Sequence, residues 1–186
     1  MEIISHNSHT YMKPSKLWMK AINWTAKCQD KTIEQQYQAG IRYFDIRVRF
    51  NQGASRSIEN TDKWVKLVHG LVEYKGSFTQ LMEYLSNKGN CTLRILLDDR
   101  HNCDKKKQTE ILQVLAPIWK STYNINLWNI WRLSDETLVY DYNNPMPPVD
   151  GQYGSANGIG GLWPKMWEKH HEYTPTDKQY LMRDFV

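Results

Sequence analysis

The sequence predicts an α/β fold: a compact, incomplete or distorted TIM-type (β/α) barrel in one domain over residues 1–186. Two patterns carry that expectation. Short β-type runs alternate with helical ones, the order that builds parallel sheets. The run IRYFDIRVRF also puts Phe44, Ile46, Val48 and Phe50 on one face and Tyr43, Asp45, Arg47 and Arg49 on the other. A strand covered by helices on both faces should be apolar on both, so charges on one face suit a barrel interior that opens onto a site. The run LRILLDDR repeats the pattern, with Leu93, Ile95 and Leu97 opposite Arg94, Asp98 and Arg100. Antiparallel strands with a solvated polar face are the competing reading of the same alternation.

In chain order, strands are expected near residues 2–6, 41–48, 64–69, 92–98, 125–131, 136–142 and 179–185. Helices are expected at 31–39, stopped by Gly40; at 77–88, capped by Ser77 and closed by Gly89; and at 104–121, capped by Asp104. A fourth covers 162–172. Residues 143–161 carry Pro145, Pro147 and Pro148 and several glycines, and read as one long loop of the functional or mobile kind.

A composition of 40% apolar, 24% charged and 12% aromatic residues excludes a disordered tail, a collagen-like repeat and a coiled coil. No apolar run approaches the roughly 20 residues of a membrane span. The opening MEIISHNSHTY lacks a basic stretch followed by an apolar one, so no cleaved leader is expected within it. Cys28, Cys91 and Cys103 form no CxxC and imply neither a disulfide framework nor a structural zinc site. Reduced thiols fit a cytoplasmic protein or one peripheral to a membrane, and a mature secreted form is compatible. The net charge of +4, spread along the chain, points to no nucleic-acid partner.

His6 closes the first expected strand and His69 the third, with Asp45 and Arg47 near the end of the strand between. In a parallel barrel these tips converge on one mouth. Two groups that titrate near neutrality, a fixed cation and a fixed anion suit acid–base cleavage of an anionic ester. His9 and His101 could also reach the mouth, whereas His170 and His171 read as surface residues.

Taken in order, SHNSHTY, Gln29, TIEQQYQAGIRYFDIRVRF, HGL and SFTQLMEYL resemble the X-domain-type phosphatidylinositol-specific phospholipases C over residues 3–101. The closing YLMRDFV looks like the last barrel strand of that family. The resemblance implies His6 as the general base on the inositol 2-hydroxyl, His69 as the general acid, Arg47 facing the phosphate with Asp45, and Asp184 orienting His6. Asn7, Arg94, Asp98 and Arg100 are assigned to substrate binding. The expected product is a cyclic inositol phosphate.

Calcium-dependent relatives carry two carboxylates on the second strand, where this sequence has Asp45 and Arg47, so a metal-independent reaction with no cofactor is expected. Were Ca2+ required, Asn7, Asp45 and Asp98 would be its ligands. Trp18, Trp24, Trp163 and Trp167, near Lys13, Lys16, Lys20, Lys165 and Lys169, suggest transient contact with an anionic membrane surface. Two rivals stand beside the phosphoinositide reading. One is the same barrel acting on another phosphodiester: a glycosylated inositol lipid, a lysolipid or a soluble glycerophosphoinositol. The other is a barrel that binds inositol phosphate or anionic lipid without turnover. Because a (β/α)8 barrel typically takes about 250 residues, the length suggests a barrel trimmed to its catalytic frame.

Overall fold

The structure, a computed structural model, describes residues 1–51, 61–100, 104–152, 177–184 and 186. The helix expected at 162–172, together with His101, Cys103, Trp163, Lys165, Trp167, Lys169, His170 and His171, lies outside the described residues.

The chain begins with β1 (Glu2–Ser5) and continues through α1 (Leu17–Ile22), a 3-10 turn (Asn23–Thr25) and α2 (Ile33–Gln38) to β2 (Tyr43–Phe50). α2 starts with a capping box: Thr32 accepts from the Gln35 amide while the Gln35 side chain accepts from the Thr32 amide. A short α3 (Thr61–Trp64) leads into β3 (Val65–His69) and β4 (Val72–Glu73). Then follow α4 (Phe78–Lys88), β5 (Thr92–Leu97) and α5 (Lys105–Tyr123). The described chain closes with β6 (Asn126–Leu127), β7 (Ile130–Arg132), β8 (Leu138–Tyr140), β9 (Val149–Gln152) and β10 (Tyr180–Arg183).

The strands form one curled sheet in the order β8-β7-β5-β2-β1-β10-β9, with β6 also beside β5 and β3 beside β2. Pairings from β9 through β10, β1, β2 and β5 to β6 and β7 are parallel, whereas β3 and β8 run antiparallel to their neighbours. Among the described residues β8 and β9 do not pair, so the sheet is a half-barrel rather than a closed ring.

Its convex face holds the main core. Phe44, Ile46 and Val48 of β2 and Leu93, Ile95 and Leu97 of β5 are fully buried. Against them α4 presses Phe78, Leu81, Met82 and Leu85, at the spacing of one helix face, and α5 presses Ile111, Leu112, Leu115 and Trp119. The Phe78 and Trp119 rings meet at 4.7 Å between centroids.

The concave face is layered. At its base Tyr43 stacks on Trp128 at 5.6 Å, and both rings meet Tyr180 edge-on. One step up, Asp45 lies beside Arg94 in the β2–β5 register, and one further step brings Arg47 level with Leu96. An aromatic plug thus fills the amino end of the half-barrel and charge collects toward the carboxyl ends of the parallel strands, the rim where barrel enzymes keep their chemistry.

Three expectations on the elements are corrected. The segment 64–69 is not a parallel barrel strand. It returns antiparallel along β2 and turns at Gly70 into β4, because Gly70 takes φ +58° and makes a two-residue hairpin. The stretch 125–131 splits into two short strands separated by Trp128 and Asn129. The expected long loop contains β9, which pairs with β10 despite Gly151, because its ladder partner and not its own composition holds it.

Candidate active site

His6 leaves the end of β1 and crosses to the neighbouring strand ends: its amide donates to the Arg183 carbonyl at 3.0 Å, and the Ser8 amide donates to Asp45 at 2.7 Å. Two glutamines lace this crossing. Gln29 donates to the carbonyls of His6 and Arg183, and Gln36 accepts from Ser5 and donates to the Ser8 carbonyl. Each buried backbone group thereby finds a partner at the point where the ladder ends.

The ring of His6 is 4% exposed and its Nδ1 lies 2.7 Å from Asp184 Oδ1, inside a carboxylate that is fully buried. Nδ1–H donates to that carboxylate. The other nitrogen, Nε2, faces Arg47 Nη2 at 3.1 Å and Asn7 Nδ2 at 2.9 Å. A guanidinium only donates, so Nε2 is the acceptor and the tautomer is set. Asn7 itself takes φ +45°, a conformation that asparagine tolerates and that recurs at functional sites.

His69 lies beside His6, its ring 6.1 Å from that of His6 and edge-on to it. Its Nδ1 donates to the Ala26 carbonyl at 2.6 Å. Burial, then the charge of Arg47, push the His69 pKa down to about 3. The residue as a whole is half-buried.

Asp45 is fully buried, and burial alone would push its carboxyl up. Arg94 Nη1 at 3.2 Å, the charges of His6 and Arg47, and the Asn7 amide at 3.1 Å reverse this and hold it below the usual range. Asp98 follows the same rule: its burial is outweighed by Arg100 and then Arg49. Of the residues assigned to substrate binding, Arg94 therefore faces Asp45, whereas Arg100 and Asp98 face each other. Asp98 and Arg49 also clamp the turn after His69, since the Gly70 amide donates to Asp98 Oδ2 and Arg49 donates to the Gly70 carbonyl. A cleft of 380 Å³ opens beside Arg94, lined also by Leu96, Trp131, Arg132 and Met146 but by none of His6, Asp45, Arg47 and His69. A larger hollow of 600 Å³ between α2 and α4 includes none of these residues.

His9 is fully buried, its Nε2 donating to the Val68 carbonyl and its ring edge-on to Tyr74. The sequence reading passed over Cys28. Its sulfur lies 3.6 Å from His69 Nδ1 and 3.5 Å from Asn7 Nδ2, while its amide donates to Thr10. The signal available was its place beside Gln29 in the quoted motif.

The oxygens of Asp45 and Asp98 named for calcium rest against guanidinium groups. Among the described residues, the metal-capable grouping of His, Cys, Asp and Glu is His6, Cys28 and Asp184, with donor atoms within 4.8 Å of one another. Among them, too, no helix is long and apolar enough to cross a membrane.

Comparison with known proteins bears on the fold. No family model matches the chain, and no curated protein matches it. A solved structure of the phosphatidylinositol-specific phospholipase C from Listeria monocytogenes resembles it with a TM-score of 0.51 and 16% sequence identity, over 100% of this chain and 88% of that one. At that identity the likeness shows the fold alone: a curled α/β half-barrel.

Proposed function

We propose that this chain cleaves phosphodiesters of the phosphatidylinositol type through a cyclic inositol phosphate, with His6 as general base and His69 as general acid. The observation that carries this reading is the pair of neighbouring histidines, one held by Asp184 with its other nitrogen toward Arg47, the second with its ring 6.1 Å away. His6 Nε2 takes the proton of the inositol 2-hydroxyl as that oxygen bonds to phosphorus. Arg47 turns from Nε2 to the phosphate oxygens, where charge develops. The bond from phosphorus to the glycerol oxygen breaks, and His69 gives that oxygen a proton. Asp184 keeps His6 in the needed tautomer and stabilises the imidazolium, the part a triad carboxylate plays. Arg47 supplies the positive charge, so the reading requires no metal.

The cleft beside Arg94 has room for a polyol headgroup between a cation and Trp131. Near the hairpin that carries His69, α1 buries Met19 and leaves Leu17 80% and Trp18 52% exposed, with Lys16 and Lys20 around them. Leu71 at the hairpin tip is exposed too, and the Glu73 amide donates to Met19, joining hairpin and helix. Apolar groups ringed by lysine suit an anionic membrane surface from which a lipid substrate would be drawn.

The test is incubation with phosphatidylinositol vesicles in chelator, followed by chromatography of the soluble phosphates. Cyclic inositol phosphate is the expected product, and His6→Ala or His69→Ala should each slow its release about 10²–10⁴-fold with circular dichroism unchanged. Fully active variants would overturn the mechanism. Turnover of a different phosphodiester alone would keep the acid–base pair and move the substrate.

A further inference from the structure

We propose that His6, Cys28 and Asp184 form a binding site for a divalent cation of the zinc type. The three donors are buried and lie within 4.8 Å of one another. A point no more than about 2.8 Å from all three therefore exists, and zinc's contacts of about 2.0–2.3 Å to nitrogen, oxygen and sulfur need donor shifts of under about 1 Å. The chemistry of the set is selective. A thiolate, an imidazole and a carboxylate suit a borderline-soft ion, whereas calcium takes six or more oxygens.

The sulfur is already placed. Thr10 accepts hydrogen bonds from the Cys28 and Gln29 amides, both at 2.9 Å, and fixes the backbone that carries the thiol. A second observation points independently to a ligand. The Asn7 amide nitrogen reaches both His6 and Cys28, yet its oxygen is buried with no hydrogen-bond partner. A buried polar atom left so is costly, and a water carried on the ion supplies the missing donor. A Cys28 thiolate and an Asp184 carboxylate, both buried, would together offset the two charges of the ion, whereas Asp45 already faces Arg94. Coordination through Nδ1 leaves the ring proton on Nε2, so Arg47 and the Asn7 amide nitrogen, which donate to Nε2 in the ion-free site, turn away as the ion enters.

Ion binding would replace the hydrogen bond between His6 Nδ1 and Asp184. Where the proposed acid–base function holds, zinc-type ions are then inhibitors. That consequence rests on the proposed function, whereas the binding site does not.

The test reads binding directly. Cobalt(II) is added to the purified, chelator-stripped full chain and the near-ultraviolet spectrum recorded. One equivalent should bind with a thiolate-to-cobalt charge-transfer band that zinc abolishes by displacement. Cys28→Ser should lose the band, whereas Cys91→Ser and Cys103→Ser should keep it. X-ray absorption at the zinc edge of the unaltered chain provides a readout that needs no variant, and should give one sulfur and nitrogen or oxygen for the rest. No band, a band that survives Cys28→Ser, or a shell with no sulfur or several would overturn the site, whatever the phosphodiesterase assay shows.

Discussion

His69 donates from Nδ1 to the Ala26 carbonyl, which leaves Nε2 as the nitrogen available to a substrate. Burial and the charge of Arg47 hold its pKa at about 3, so the ring is neutral in the free site at neutral pH. Under the proposed function a general acid must carry its proton, and a bound phosphodiester anion would be the charge that restores it. The sign of the pH dependence follows. Above about pH 3 the protonated fraction of His69 in the free site falls tenfold per pH unit, and kcat/KM, which reports the free enzyme, falls with it on the alkaline limb. In the complex the substrate's charge raises the same pKa, so the alkaline limb of kcat should lie at higher pH than that of kcat/KM. Profiles of both constants on a soluble inositol phosphodiester check this. Coincident limbs, or limbs retained in His69→Gln, would remove His69 as the acid.

The hairpin of β3 and β4 is the element that delivers this residue, and Gly70 is its weak point. A Cβ at position 70 meets nothing within 4 Å, yet the backbone there has φ +58°. Gly70→Ala should therefore cost about 1 kcal/mol through backbone strain alone, read as a lower urea midpoint with an unchanged slope. It should also loosen the clamp of Arg49 and Asp98 on the turn and lower activity by more than the stability loss accounts for. A midpoint equal to that of the unaltered chain would mean the turn is not held as described. The same hairpin shows what the sequence could and could not disclose. Alternation in β2 and β5 exposed the charged face, because side-chain period is local and visible. Strand direction is not local: VKLVHGLVEY fits a hairpin or the end of a parallel strand equally, and the glycine before Leu71 was the one cue to a primed turn. β9 stayed hidden for a related reason, since pairing with β10 and not its own Asp150 and Gly151 makes it a strand. His6, Asp45 and Arg47 lie together because parallel strand ends converge, whereas His69 comes beside them on the antiparallel hairpin and not at the end of a parallel strand. Cys28 was not legible, because a loop residue reaches the site only through the Thr10 and Gln29 contacts that the fold creates.

At the scale of the molecule, the half-barrel holds buried imidazoles that resist protonation. His9 is fully enclosed, and burial, only partly offset by the Val68 carbonyl, pushes its pKa down to about 4; His69 is lower still. An unfolded histidine titrates near 6.5. Between about pH 6.5 and 4 the unfolded chain takes up protons that native His9 and His69 refuse, so the unfolded state binds more protons and stability falls as pH falls. The carboxylates push the same way. Asp45 and Asp98 are held low by Arg94, Arg100 and Arg49, and the stability they contribute is lost when acid protonates them. His9 alone accounts for about 3 kcal/mol over that window, at 1.36 kcal/mol per pKa unit, a large share of the 5–15 kcal/mol typical of a folded domain. Urea unfolding at pH 7 and at pH 4.5 should show a marked loss at the lower pH. His9→Gln, which can keep a donor for the Val68 carbonyl but cannot titrate, should shrink that loss by about the His9 share while starting from a lower stability at pH 7. A stability flat between the two pH values, or a loss unchanged in His9→Gln, would mean that the ring is not sealed beneath the cleft, and that the floor on which His6 and His69 sit is open to water.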